Sequence, residues 1–455
     1  MVTRRAFLAA LAACAATSPV RGFARQLSGP SGRPVPSPSQ RRWQQDERAL
    51  FLHFGINTFT DREWGDGRED PGIFNPSRFD ARQWTRAARA GGFRAAILTA
   101  KHHDGFCLWP TRTTRHSVAA SPWRGGAGDV VREFVTACRD EGLRPGVYLS
   151  PWDRNNPLYG DSPRYNDLYC DQLTELLTQY GDMAEVWFDG ANGEGPNGSR
   201  QQYDWPRVFA LVRKLQPNAV IFSDAGPDVR WCGNERGEAG EPNWSTVDPG
   251  AVPYPGATGS GIEPALQHGD PNGSAWRPAE ADTSIRPGWF HHAAEDDRLR
   301  PAGQLVDLYL RSVGRNAKLL LNVPPARDGR LAERDVLRLA DFDAALRALF
   351  SDNVARSARL RWRSTGRSTI EGEIDFPRQV SIGVVRLEED IRRGQRVARY
   401  TVSCQDGKAW KTLSQGTTIG YARIDRFEPA VLRRLRVTID EAVAPPLPLA
   451  ISAFA

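Results

Sequence analysis

The chain predicts a (β/α)8 TIM-like barrel followed by a C-terminal antiparallel β-sandwich, and three observations carry the prediction. Short apolar strands alternate with amphipathic helices over more than 250 residues. Polar and aromatic residues gather just after those strands, where a parallel barrel collects its chemistry. Beyond about residue 345 the pattern changes to short alternating runs separated by turn residues. A length of 455 residues fits one large domain and one small one. A doubly wound open sheet is the alternative, but no GxGxxG follows the first strand to favour it.

In chain order, residues 1–25 read as a targeting segment and not as fold. Thr3-Arg4-Arg5-Ala6-Phe7-Leu8 precedes a short Ala/Leu run, the pattern of a twin-arginine export signal, with a small-residue cleavage site near Ala24. A periplasmic or secreted location is therefore expected. Leu11-Ala12-Ala13-Cys14 offers a competing reading as a lipobox, with Cys14 as a lipid anchor. Residues 26–42 read as a Ser/Pro/Gly/Arg linker, with folded structure starting near Trp43.

The barrel is expected over residues 43–345. Its readable strands are Leu50 to Phe54, Ala95 to Thr99, Arg144 to Leu149, Glu185 to Asp189, Val220 to Ser223 and Leu319 to Val323. Helices read between them, at Gln83 to Ala90, Val130 to Glu141, Gln172 to Tyr180 and Asp204 to Lys214. The sandwich is expected over 346–455, with alternating runs at Thr369 to Ile374, Val380 to Leu387, Arg396 to Cys404, Thr418 to Ile424 and Leu435 to Ile439. Trp410 and Tyr421 in that region suit packing better than a sugar platform.

Composition narrows the function classes. A net charge of +6 is spread along the chain without a basic block interleaved with aromatics, which gives little support to a nucleic-acid partner. Beyond the leader, no segment approaches the roughly 20 apolar residues that a membrane-spanning helix needs. Cys107, Cys138, Cys170, Cys232 and Cys404 are odd in number and lack CxxC spacing, so neither a disulfide framework nor a zinc site is signalled.

The most informative strand is Glu185-Val186-Trp187-Phe188-Asp189-Gly190. Its alternation sends Val186 and Phe188 one way and Trp187 with Asp189 the other, so a stacking aromatic and an acid arrive together. Alone, Asp189 suits a helix cap or a turn. Other strand ends change that reading: His53 closes the first strand, Lys101-His102-His103-Asp104-Gly105-Phe106 follows the second, and Tyr148 to Asp153 the third. Adjacent histidines on a strand face opposite ways and lack obvious further ligands, so no metal or cofactor is expected. Imidazoles that donate and accept suit vicinal sugar hydroxyls.

Glycoside cleavage by the common route needs two carboxyl groups flanking the bond. Asp189 is the candidate nucleophile, and Glu235 in Trp231-Cys232-Gly233-Asn234-Glu235-Arg236-Gly237 the candidate acid/base, with Arg230 or Arg236 tuning it or holding a ring hydroxyl. Asp104, Asp153, Asp224 and Glu63 lie in comparable loops and Glu185 shares the parity of Asp189; spacing does not rank them.

The ordered set His53-Phe54-Gly55, Glu63-Trp64, Lys101 to Phe106, Gly146-Val147-Tyr148, Trp187 to Gly190, Gly288-Trp289-Phe290-His291 and Leu320-Leu321-Asn322-Val323-Pro324-Pro325 resembles the α-L-fucosidases of glycoside hydrolase family 29 over about residues 45–345. The resemblance implies a retaining exo-hydrolase that releases terminal α-L-fucose through a fucosyl-enzyme on Asp189. It implies fucose contacts from His53, Glu63, Trp64, His102, His103, Tyr148 and Trp187, and it draws Trp289 into the binding set. Gly233-Asn234-Glu235 is similar to the subgroup that prefers α-1,3 and α-1,4 fucose on branched, Lewis-type or N-glycan chains. Broad linkage specificity, a non-hydrolysing fucose lectin and a metal-dependent hydrolase stand as the competing readings.

Overall fold

The computed structural model describes residues 27–29 and 32–455. The residues read as an export signal, and Cys14 of the competing lipobox reading, lie outside them.

Folding starts earlier than the linker reading allows. Helix α1 spans Pro38–Gln45, entered through a reciprocal cap in which the Ser37 hydroxyl accepts from Gln40 N at 3.2 Å and the Gln40 side chain accepts from Ser37 N at 2.8 Å, with Pro38 preset for the first turn. The helix carries Trp43 into the bottom of the barrel, where it is 2% exposed. Composition hid this segment because a single buried indole, not a periodic stripe, anchors it.

Eight parallel strands close in the order β1-β10-β9-β6-β5-β4-β3-β2. They are β1 (Arg48–Leu52), β2 (Ala95–Lys101), β3 (Arg144–Leu149), β4 (Glu185–Trp187), β5 (Val220–Ser223), β6 (Val229–Trp231), β9 (Ala279–Ser284) and β10 (Ala317–Asn322). The two-stranded annex β7 (Thr246–Val247) and β8 (Ala275–Trp276) hangs on the connection after β6. Helices α2 (Ile56–Thr60), α3 (Ala81–Ala90), α4 (Val130–Asp140), α5 (Ser162–Gln179), α6 (Trp205–Leu215), α7 (Ile262–His268), α8 (Ala302–Ser312) and α9 (Glu333–Leu349) complete the domain. Asp80, Asp129 and Asp204 cap α3, α4 and α6 by accepting from the third backbone N–H of each helix.

The six strands read from sequence are all present, and β6 and β9 are the additions. β6 has three residues and follows β5 by a turn with no helix between them. In β9, Ala279 and Ala281 pack in a small apolar cluster while Glu280 contacts Lys318 and Trp187 within the barrel, so the strand lacks the apolar inner face that the eye looks for.

Strand parity sorts the core into two layers. Val186 and Phe188 belong to the large cluster between sheet and helices, whereas Trp187 joins Trp43, Phe51, Tyr148 and Phe222 inside the barrel. At the lower end, Lys318 Nζ lies 2.9 Å from Glu185 and 3.4 Å from Glu280, and Trp43 Nε1 donates to Glu185 at 2.9 Å. All three ionisable groups are essentially unexposed. Burial and the neighbouring Glu185 push the Glu280 carboxyl well up, so one proton and one ammonium together neutralise two acids.

The C-terminal domain is an antiparallel sheet with order β11-β12-β15-β13-β14 and β16 added to β12. Its strands are β11 (Arg359–Ser364), β12 (Ile370–Glu388), β13 (Val397–Asp406), β14 (Ala409–Gly416), β15 (Arg423–Ala442) and β16 (Ala450–Phe454). The long β12 and β15 shift register at Asp375/Val380 and Ile382/Val384. Trp410 lies 3.8 Å beneath the Arg436 guanidinium, and the Tyr421 hydroxyl donates to Glu47, so both residues serve packing. Glu47 also accepts from Arg386 at 2.7 Å and from Tyr309, which ties this sheet to the barrel.

Candidate active site

The pocket at the C-terminal end of the barrel measures about 330 Å³ and is lined by Phe51, His53, Trp64, His102, His103, Tyr148, Trp187, Asp189, Ala191, Glu235, Asp282 and Trp289. Nine of the eleven residues singled out from sequence meet here, brought together from six strand ends and their loops. Such convergence is what a barrel mouth provides.

Asp189 stands one residue beyond Phe188, whose N–H still bonds the neighbouring strand at Phe222 O, so the acid emerges from a fixed backbone. Its Oδ1 accepts from Ala191 N at 2.7 Å and its Oδ2 from the Tyr148 hydroxyl at 3.2 Å. His103 Nε2 lies 3.8 Å from Oδ2. The side chain is 30% exposed, held in orientation and still open to a ligand.

Hydrogen-bond partners assign the three imidazoles their roles. His53 Nδ1 meets Asn322 Oδ1 at 2.9 Å, while Asn322 Nδ2 donates to Ser284 and to Trp289 O. His53 is therefore the donor at Nδ1, leaving Nε2 as an acceptor. His103 Nδ1 faces the Ser150 hydroxyl at 2.8 Å, and that hydroxyl spends its own proton on Trp152 O, so His103 also accepts at Nε2. His102 has the opposite tautomer, because Asn57 Nδ2 faces its Nδ1 at 3.5 Å. Burial holds all three neutral: His53 falls to about 3, His102 falls well below the ordinary value, and His103 falls against the pull of Asp189. Two acceptors and one donor around an aromatic floor fit a ligand rich in hydroxyls.

Two expected contacts lie elsewhere. The Glu63 carboxylate is off the cavity wall and is committed to its scaffold: Oε2 accepts from Trp289 N at 2.7 Å, and Oε1 from Phe290 N at 3.0 Å and from His292 at 2.8 Å. A Cβ on Gly288 would stand 2.4 Å from Oε1, so a side chain there would push this carboxylate from its present place. Arg230 points out of the barrel, since Val229 takes the inward place on β6. Its guanidinium donates to Leu266 O, Arg277 O and Asn243 Oδ1 and braces the connection after β6.

Glu235 sits on the loop after β6, with Gly233 and Gly237 at positive φ on either side. Burial raises its pKa above the ordinary carboxyl value, the Trp289 side chain bonding to it opposes the rise, and Asp189 and Glu63 add to it. A carboxyl biased toward its protonated form beside a second carboxyl is the pairing that glycoside chemistry uses.

The pocket holds a third acid that the sequence reading missed. Asp282 at the end of β9 is 4% exposed, accepts from Trp231 Nε1 at 2.7 Å, and is pushed up to about 8 by burial and by Glu235. The signal was present in Ala279-Glu280-Ala281-Asp282, where small residues alternate with acids at the period of a strand. The rival acids are occupied: Asp153 pairs with Lys101 at 3.2 Å, Asp104 accepts from Phe106 N at 2.7 Å, Asp224 from Gly256 N at 2.9 Å, and Glu185 belongs to the buried cluster below. Among the described residues the five cysteines are buried and unpaired with one another.

Comparison with known proteins identifies the family. Residues 39–348 match the family described as Alpha-L-fucosidase. The chain is similar to Alpha-L-fucosidase 1 of Arabidopsis thaliana, 44% identical over 444 residues that cover 91% of this chain and 86% of the other. Among solved structures it resembles a glycoside hydrolase 29 family member from an unknown rumen bacterium, with TM-score 0.86 and 42% identity over 93% of this chain and 77% of the other. It also resembles a Ruminococcus gnavus GH29 fucosidase in complex with fucose, with TM-score 0.83 and 31% identity over 95% of this chain and 97% of the other. The chain belongs to the alpha-L-fucosidase family, glycoside hydrolase family 29, and is a glycoside hydrolase of that class.

Proposed function

We propose that this α-L-fucosidase acts by double displacement with net retention on terminal α-1,3- or α-1,4-linked fucose of branched, Lewis-type or N-glycan chains. The observation that carries the mechanism is the shared cavity of Asp189 and Glu235, one carboxylate fixed by Tyr148 and Ala191 and the other carboxyl biased toward its protonated form. Asp189 attacks the anomeric carbon as the glycosidic bond breaks, and Glu235 gives its proton to the leaving oxygen. Glu235, now ionised, takes a proton from water, which attacks the same carbon and expels Asp189. Fucose leaves with its anomeric configuration preserved.

The neutral imidazoles fit the sugar hydroxyls, with His53 and His103 accepting and His102 donating, while Trp187 and Trp289 offer apolar faces to the ring. Proton NMR during the first minutes of hydrolysis should show α-L-fucose appearing before its mutarotated form; initial β-fucose would overturn retention. For linkage, free fucose is to be measured from a Lewis-type trisaccharide and from an α-1,2-fucosyl lactose side by side. Faster release from the α-1,2 compound would defeat the linkage reading and spare the reaction class. Thr3-Arg4-Arg5-Ala6-Phe7-Leu8 supports export by the twin-arginine route to the periplasm or beyond, which cell fractionation tests.

A further inference from the structure

Two loops at the rim of the fucose pocket each bring it a tryptophan. The segment 61–64 after α2 supplies Trp64, and the segment 285–292 after β9 supplies Trp289. A single imidazole joins them. His292 Nδ1 lies 2.6 Å from Asp61 Oδ1, and its Nε2 lies 2.8 Å from Glu63 Oε1.

Both ring nitrogens thus face carboxylate oxygens, and a neutral imidazole has only one N–H to give. The acids do not supply the missing hydrogen. Glu63 already accepts on both oxygens, from Trp289 N at 2.7 Å and Phe290 N at 3.0 Å. Asp61 is 75% exposed, in contact with water that solvates a carboxylate. The imidazolium alone satisfies both partners. Burial by itself would lower the His292 pKa; hydrogen bonds to Asp61 and Glu63, with their charges, outweigh it and raise the pKa above the ordinary imidazole value.

The other charged groups nearby are engaged elsewhere. Arg62 reaches Asp66 at 4.0 Å, on the facing loop. Arg286 Nη1 approaches His292 O at 3.5 Å, but its guanidinium pairs with Asp335 at 2.8 Å and Asp296 at 2.9 Å. His291 is pushed down, by burial first and then by Arg286.

What the ring holds in place is Trp289. Glu63 takes its N–H, Asn322 Nδ2 donates to its carbonyl at 2.8 Å, and the indole stands 5.1 Å from the His53 ring in the pocket wall. We infer that His292, as an imidazolium, is a positioning residue for fucose binding: it clasps segment 61–64 to segment 285–292 and so fixes Trp289 against the sugar. The inference rests on this pocket being the fucose site. Loss of the ring proton sets a bare nitrogen against one carboxylate, so the clasp is whole at low pH and opens as pH climbs through the raised pKa.

Calorimetric titration with free L-fucose from about pH 5 to about pH 9 tests this. The wild-type Kd should rise about fivefold along the alkaline limb. His292→Gln, which donates to one acid and does not titrate, should bind about fivefold more weakly at the acid end and lack that limb. With an aryl α-L-fucoside the change should fall on KM more than on kcat. Asp61→Asn removes one of the charges that raise the ring's pKa, so it should move the wild-type limb to lower pH. Wild-type affinity and an intact limb in His292→Gln, or an unmoved limb in Asp61→Asn, overturns the clasp. Histidine NMR reads the charge without any reliance on affinity: the imidazole signal that vanishes in His292→Gln should titrate above about 6.5, and titration below it refutes the imidazolium. Failure of the wild type to bind fucose at any pH would sink the pocket reading instead and leave the NMR titration to decide the clasp.

Discussion

The surroundings of Asp189 do two separate things. Ala191 N and Tyr148 fix where its oxygens point, and among the described residues the pocket wall sets no lysine or arginine beside it. Asp189→Gly should lower turnover of an aryl α-L-fucoside by at least about 10³-fold. Circular dichroism and the melting temperature should remain close to wild type. A variant that retains a tenth of the activity would remove Asp189 from the nucleophile's role.

Asp104 makes a different point at the same scale. It is 1% exposed, its Oδ2 has no hydrogen-bond partner among the described residues although His102 Nδ1 lies 3.8 Å away, and burial raises its pKa to about 7, so the folded protein keeps a proton there that the unfolded chain releases near 4. A raised folded pKa means stability that is whole below the unfolded value and is lost as pH climbs through the folded one. Asp104→Asn keeps the oxygen that accepts from Phe106 N and cannot ionise. Its melting temperature should match wild type near pH 4 and exceed it by pH 8, with a stability difference of order a few kcal/mol. A difference independent of pH would contradict the assignment.

Among the elements, the two strands that sequence did not deliver are the two with the most chemistry behind them. β4 was legible because its outward face, Val186 and Phe188, is apolar and its inward face carries an indole. β9 was opaque because Glu280 and Asp282 take the places where valine would ordinarily announce a strand, and β6 was too short to show a period. Missing β6 also misplaced Arg230, since the direction of a side chain follows only once the strand is known. Glu63 entered through the family resemblance; its hydrogen bonds to a loop more than 220 residues away are invisible to local pattern.

The cluster at the lower end of β4, β9 and β10 yields a contrast between two glutamates. Glu280 carries the proton, so Glu280→Gln keeps the acceptor for Trp187 Nε1 and should alter stability by less than about 1.5 kcal/mol. Glu185→Gln removes the charge that Lys318 and Trp43 share, and should cost about 3–5 kcal/mol by leaving a buried ammonium poorly paired. Chemical denaturation of the two variants measures both; equal losses would mean that the proton sits elsewhere in the cluster.

For the molecule as a whole, the C-terminal sheet is part of the enzyme's foundation. Arg386 and Tyr421 bond Glu47 at the head of β1, Tyr421 N bonds Asn316 just before β10, and Gln395 accepts from Ser245 N at 2.7 Å. Ending the chain at residue 349 would leave the partly buried carboxylate of Glu47 and the side chain of Asn316 without these partners. Such a truncation should be recovered as aggregate, or melt at least about 10 °C below the full chain. A truncated protein of unchanged melting temperature would show the sheet to be an independent appendage.

The indole of Trp187 forms a ceiling for one chamber and a floor for another. Below it lies the sealed salt cluster, to which its N–H is bonded; above it lies the sugar pocket with its three carboxyls. Protons that come and go during turnover therefore do so on one side of a greasy plate, while the acids that hold the barrel together remain on the other. The plate separates the two rooms in space but not in field: Asp282 in the upper room helps to raise Glu280 in the lower one, so a change of charge at Asp282 reaches the acids that hold the barrel together.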